Sequence, residues 1–138
     1  PPPPAAPSSL AFSATSSTAT TLTWVDNATT ESGYKIQRAP AATGPFVDVA
    51  NLAANTTTYT ESALSSGTTY YYRVRATNGT TDSPPATGNV TTTGGPSYTI
   101  SGTVTLSGGG LAGVTVSDGA RSTLTAANGS YSLINVPA

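Results

Sequence analysis

The sequence contains no cysteine, no histidine and no methionine among its 138 residues. Without cysteine there are no disulfides, thiolate metal sites or cysteine nucleophiles, and without histidine the commonest general acid or base is missing. Charged residues make up 8% and the net charge is -1, so no field would attract nucleic acid or an anionic membrane surface. No apolar run approaches the roughly 20 residues that cross a bilayer. We therefore expect no nucleic acid partner, no membrane span and no cofactor.

Serine and threonine dominate what is present, with 44 of the 138 residues. Short segments rich in Thr, Val, Tyr and Ile recur about every ten residues and are separated by Gly, Asn, Asp and Pro, which is typical of β-sandwiches. No segment has a helical period. The sequence thus predicts an all-β protein with two tandem β-sandwich (immunoglobulin-like) modules, the second of them incomplete.

The predicted domain organisation follows the breaks in this pattern. Residues 1–7 hold five prolines and are predicted to be an extended linker. Residues 8–93 form the first module, with strands around 10–12, 22–24, 34–38, 46–49, 57–60, 70–76 and 89–92. The breakers in residues 94–97 predict a second linker. Residues 98–138 form the second module, in which Gly108 to Gly110 are expected to be a flexible loop.

The first module carries three specific motifs. They are Leu-Thr-Trp-Val-Asp-Asn at 22–27, Glu-Ser-Gly-Tyr-Lys-Ile-Gln-Arg at 31–38 and Leu-Ser-Ser-Gly-Thr-Thr-Tyr-Tyr-Tyr-Arg-Val at 64–74. Over about residues 6–93 the chain resembles fibronectin type III domains of bacterial secreted proteins. The resemblance implies that Trp24 is the centre of the core. It also implies that Tyr70 is a tyrosine corner, whose hydroxyl bonds backbone a few residues upstream.

The second module has motifs at 98–104, 111–116 and 127–133. In their order they resemble carboxypeptidase regulatory-like domains and the related collagen-adhesin B-type repeats, over about residues 97–138. Members of these families continue with further strands, so the resemblance implies that about half of such a sandwich is present. An isopeptide bond is not expected, because the segment contains no lysine.

An incomplete sandwich would expose apolar residues beside unpaired backbone groups, which is a template for a strand of another chain. The predicted assembly edge consists of Ile100, Val104, Tyr131, Leu133 and Val136. Two explanations stay open: the chain is a fragment, or a neighbouring subunit supplies the absent strand and the protein polymerises. In the second case residues 5–13 are the more suitable donor.

The six carboxylates all fall in predicted turns or at strand ends, where a solvated role is expected for each: Asp26, Glu31, Asp48, Glu61, Asp82 and Asp118. No pair of them is supported by another acid or base, so we predict that the protein is not an enzyme. The loop with Asp26 and Glu31 also lacks the dense pattern of a calcium site.

A candidate ligand patch lies on the predicted strand 70–76. Alternation places Tyr71, Arg73 and Arg75 on the face opposite Tyr70 and Tyr72, where they would contact carbohydrate or a cell surface. The competing interpretation is a solvated sheet face.

These observations predict a non-catalytic extracellular structural or adhesion protein, secreted or on the cell surface, that assembles into a filament by β-strand complementation. The alternative is a spacer or accessory segment of a secreted polysaccharide-degrading enzyme or protease. A carbohydrate-binding module is a third class.

Overall fold

The computed structural model describes residues 1–137, which form strands, turns and loops. Within this range the all-β prediction is confirmed. No helix in the described residues has the length and apolar character needed to cross a membrane. The chain divides into two compact units, Pro1–Gly94 and Gly95–Ala138.

The first unit is a pair of antiparallel sheets. Its strands are β1 (Ser8–Ser13), β2 (Thr20–Val25), β3 (Gly33–Ala39), β4 (Val47–Ala53), β5 (Thr58–Glu61), β6 (Thr69–Thr77) and β7 (Ala86–Thr91). One sheet has the order β1-β2-β5 and the other the order β4-β3-β6-β7. This is the sandwich arrangement that alternating short strands predict.

The core lies between the two sheets and follows the alternation of the strands. In β2 the buried positions are Thr20, Leu22 and Trp24, and the intervening threonines are only partly buried. In β6 the buried positions are Tyr72, Val74 and Ala76. The same cluster includes Tyr34 and Ile36 of β3. Each large apolar side chain buried here stabilises the fold by about 1.5–3 kcal/mol.

Threonine hydroxyls connect neighbouring strands at the surface. Thr21 of β2 lies opposite Thr60 of β5, and their hydroxyl oxygens are 2.8 Å apart. Thr69 of β6 and Thr91 of β7 repeat this arrangement, also at 2.8 Å. Pairs of this kind stabilise a sheet by roughly 0.2–1 kcal/mol each.

Residues 1–7, which were predicted to be a linker, contact the first unit. Pro4 and Pro7 are buried. The Asn78 amide donates to the carbonyl of Pro2 at 3.1 Å, and Asn27 donates to the carbonyl of Ala6 at 3.0 Å. Proline is apolar and has no N–H to satisfy, so it can lie on a sandwich without a hydrogen-bonded partner strand.

The second unit contains three two-stranded sheets. Its strands are β8 (Ser97–Thr103), β9 (Thr105–Leu106), β10 (Gly109–Gly110), β11 (Thr115–Ser117), β12 (Ser122–Leu124) and β13 (Ser130–Pro137). The pairs are β13-β8, β10-β9 and β11-β12. The glycine run expected as a flexible loop is therefore part of a tight hairpin. Ser107 and Gly108 both have positive φ, at 51° and 82°, as two-residue hairpin turns require.

Candidate functional site

The outer face of β6 carries the predicted ligand patch. Tyr71 and Arg73 line a cavity of about 260 Å³. The other lining residues come from the segment before β4 and from β7: Ala42, Phe46, Thr87, Gly88 and Asn89, with the edge of Tyr72. The structure thus brings two of the three predicted residues together.

Phe46 is the residue of this site that the sequence prediction missed. It was assigned to a strand, but β4 begins at Val47. The Arg73 guanidinium lies over the Phe46 ring, 3.7 Å from its centroid. The sequence offers little indication of this contact. An aromatic residue beside Gly44-Pro45 indicates a turn, but it does not indicate that the ring stacks on Arg73.

Arg75 does not take part in this cavity, which corrects the predicted patch. Its Nε donates to Oε1 of Gln37 at 3.2 Å, and its Nη1 donates to the Ser83 carbonyl at 2.8 Å. Arg75 therefore holds the loop after β6 against β3.

Glu61 is buried and not solvated, which corrects the expectation for this carboxylate. Its exposed fraction is 7%. Nη1 of Arg38 donates to Oε1 at 2.6 Å, and the Tyr72 hydroxyl donates to Oε2. Burial, and then the hydrogen bond to Glu61, raise the pKa of Tyr72 well above its usual value. The group is a structural ion pair inside the sandwich, because both carboxylate oxygens are engaged.

Asp26 and Asp82 are each held by hydrogen bonds to neighbouring residues. Asp26 accepts bonds from the Tyr34 hydroxyl and from the Ala28 N–H. Asp82 pairs with Lys35 at 2.9 Å, and this hydrogen bond lowers the pKa of Asp82. Across residues 1–137, no group of three or more acidic side chains is placed to hold a metal ion.

The two residues assigned structural roles lie within the first unit. Trp24 is 4% exposed and its ring centroid is 5.5 Å from that of Tyr34. The Tyr70 hydroxyl accepts a 2.9 Å bond from the N–H of Ser65, five residues upstream. This bond lowers the pKa of Tyr70 and fixes the connection between the two sheets.

A groove lies between β12 and β13 of the second unit. The groove encloses about 410 Å³ and is lined by Arg121, just before β12, by Ser122 and Thr123 of β12, and by Ser132, Leu133 and Ile134 of β13. β12 pairs with β11, and β13 pairs with β8. In the described residues β12 and β13 belong to different sheets. Each therefore has one edge whose backbone groups are not paired with a neighbouring strand.

The predicted assembly edge is exposed only in part. Ile100 is 45% exposed, and Val104, Tyr131 and Val136 are half-buried. Leu133 is 5% exposed, which corrects its prediction. It lies opposite Ile100 near the middle of the β8-β13 pair, where the unit covers it.

A family model described as "Fibronectin type III domain" matches residues 5–93. The chain belongs to this family. The match includes both residues with assigned structural roles, Trp24 and Tyr70, and the whole cavity over β6. The fibronectin type III domain is a non-catalytic family whose members are generally extracellular structural or adhesion modules.

Solved structures agree with this fold. A computer-redesigned β-sandwich protein is 25% identical, with a TM-score of 0.57, over 64% of this chain and 95% of that one. The FN3 domain of human collagen XX is 23% identical, with a TM-score of 0.57, over 67% and 98%. The chicken CNTN1 FN1-FN3 domains are 24% identical, with a TM-score of 0.60, over 70% and 34%, so this chain spans about a third of that protein. No curated protein matches the chain.

Proposed function

We propose that the protein is an extracellular structural or adhesion protein whose second unit assembles copies of the chain into a filament by β-strand complementation. The fibronectin type III domain acts in it as a spacer and contact surface. The groove between β12 and β13 is the observation that carries this function.

A strand of another copy could be inserted at the edge of β12 opposite β11, because this edge has no partner strand in the described residues. β11-β12 of one copy and β8-β13 of the next would then become a single sheet with the order β11, β12, β8, β13. Isolated two-stranded pairs are marginally stable in water, and three or more strands are needed for independent stability. The inserted strand would therefore stabilise the unit that receives it.

The second unit also exposes most of the large apolar side chains on the molecule. The larger exposed residues in it are Tyr98, Ile100, Leu106, Leu111, Leu124 and Ile134, with exposed fractions from 38% to 66%. The first unit has two such residues, Val25 and Val47. Concentrated exposed apolar surface marks an interaction site.

We assign the donor role to β8 of a second copy. Within residues 1–137 β8 pairs only with β13, so its outer edge is free to pair with β12 of another copy, and it carries the exposed residues Tyr98 and Ile100. The donor edge and the groove are different surfaces, so a copy that has used one of them still has the other free. Such a head-to-tail contact can repeat from copy to copy and form a fibre. Residues 5–13, the donor expected from the sequence, are less suitable, because Leu10 and Phe12 pack against the core of their own unit.

The test uses two variants of the full chain. Ile134→Lys places a charge in the groove, and Ile100→Lys places one on the donor edge, both at exposed positions. Sedimentation and electron microscopy should show fibres or oligomers for the wild type and a loss of assembly for each variant. Mixed together, the variants should form a capped dimer, because each keeps one intact surface.

Val25→Lys is the matched control, since Val25 is 47% exposed in the first unit. It should assemble like the wild type. The filament function would be contradicted if the wild type stayed monomeric at high concentration, or if both groove and edge variants assembled like the wild type. Either result would favour the alternative, a spacer segment of a secreted enzyme.

A further inference from the structure

We infer that the cavity over β6 and β7 binds the carboxylate-bearing ring of an acidic sugar, a hexuronate, with Arg73 as the group that recognises the anion. The site lies wholly within the fibronectin type III domain and is independent of strand exchange.

The first step is the pairing of the five cationic side chains. Three form ion pairs within the described residues: Lys35 with Asp82 at 2.9 Å, Arg38 with Glu61 at 2.6 Å, and Arg121 with Asp118 at 3.5 Å. Arg75 bonds Gln37 and a backbone carbonyl. Arg73 forms no ion pair there, and its Nε is buried without a hydrogen-bond partner. Because this atom is closed to solvent, an anion in the cavity would reach Arg73 through its two terminal nitrogens.

The second step is the fixed position of that charge. The guanidinium lies 3.7 Å from the centre of the Phe46 ring. Stacking on an aromatic face holds the plane of the group while its N–H donors at the edge remain available for a planar carboxylate. Among the described residues no aspartate or glutamate lines the cavity, so no carboxylate of its wall competes for the Arg73 guanidinium.

The third step is the neutral part of the wall. Tyr71 lies opposite Asn89, and Arg73 lies opposite Thr87, in two alternate cross-strand pairs of the β6-β7 ladder. An aromatic ring beside an amide and a hydroxyl suits a sugar, which presents apolar C–H faces together with hydroxyl groups. The volume of about 260 Å³ suits one ring better than a peptide segment.

The binding test is an NMR titration of the full chain with methyl glucuronoside and, in parallel, with methyl glucoside. Saturable amide shifts at Phe46, Thr87 and Asn89 are expected with the glucuronoside, with affinity at least tenfold lower for the glucoside. Absence of saturable shifts, or equal affinity for the two sugars, overturns the assignment.

Two further measurements separate the contributions. Arg73→Gln should weaken glucuronoside binding at least tenfold, whereas Lys35→Gln, which removes one positive charge of the same domain outside the cavity, should leave it unchanged. Equal losses in both variants would mean general charge attraction and would overturn the site.

Acetate should bind at least tenfold more weakly than the glucuronoside. Equal binding would mean that only the carboxylate is recognised and would overturn the sugar assignment.

Discussion

The hydroxyl of Tyr72 donates a 2.5 Å hydrogen bond to Oε2 of Glu61 in the interior of the first unit. The other oxygen of Glu61 accepts from Arg38. This connection ties the end of β5 in one sheet to β3 and β6 in the other, so it joins the two layers of the sandwich by polar contacts in addition to apolar packing.

Replacing Glu61 should therefore destabilise the fibronectin type III domain. Glu61→Ala leaves the partly exposed Arg38 and the buried Tyr72 hydroxyl without their acceptor, and loss of such a partner costs roughly 1–3 kcal/mol. Urea denaturation should show this loss. Asp48→Ala, at an exposed carboxylate bonded to Gln37, should change the free energy of unfolding by no more than about 0.5 kcal/mol. Equal effects in the two variants would contradict the structural role of Glu61.

Stability should also fall at alkaline pH. Burial raises the pKa of both Tyr34 and Tyr72, and hydrogen bonds to Asp26 and Glu61 raise them further. The folded state therefore keeps these protons above pH 10, where an unfolded tyrosine loses them. This stabilisation is complete below about pH 10 and declines as the pH rises through the folded pKa values.

Thermal unfolding at pH 8 and pH 11 measures this effect. The wild type should have the lower Tm at pH 11. The double variant Tyr34→Phe with Tyr72→Phe is the control and should show a smaller decrease between the two values of pH. A decrease as large as that of the wild type would assign the alkaline effect to other groups.

The hydrogen bond of Tyr70 should make a measurable contribution. Tyr70→Phe removes the acceptor of the Ser65 N–H and should lower the free energy of unfolding by about 1 kcal/mol. Tyr71→Phe, on the outer face of the same strand, is the comparison and should have little effect. If the two substitutions lowered the free energy of unfolding equally, the hydrogen bond between the Ser65 N–H and the Tyr70 hydroxyl would not be a specific source of stability.

Substitution of Gly129 should disrupt the second unit alone. Its φ is +79°, and an added Cβ would lie 2.2 Å from the Val104 carbonyl oxygen, so alanine is both strained and in collision with backbone. We expect a loss of about 2 kcal/mol or more. Hydrogen exchange should speed up after residue 95 and stay unchanged before it. Gly94→Ala, where an added Cβ meets nothing within 4 Å, should leave the stability and the hydrogen exchange of both units unchanged.

Local pattern was enough to predict most of the first unit. Leu22 and Trp24 alternate with threonines, and Tyr72 and Val74 alternate along β6, so the buried face of each strand is readable without tertiary contacts. Glu61 was misjudged because its partner Arg38 is 23 residues away, and only the folded sandwich brings the two together. Phe46 was missed for a related reason. Its stacking on Arg73 depends on the path of a loop, which residue periodicity does not encode.

The cross-strand threonine pairs have a consequence for the environments in which the domain keeps its fold. Thr21 with Thr60 and Thr69 with Thr91 are joined by uncharged hydroxyl contacts. Dissolved ions weaken exposed charge pairs over a Debye length of about 10 Å at 0.1 M, but they leave hydroxyl pairs largely unaffected. These two cross-strand contacts should therefore persist over a wide range of salt concentration.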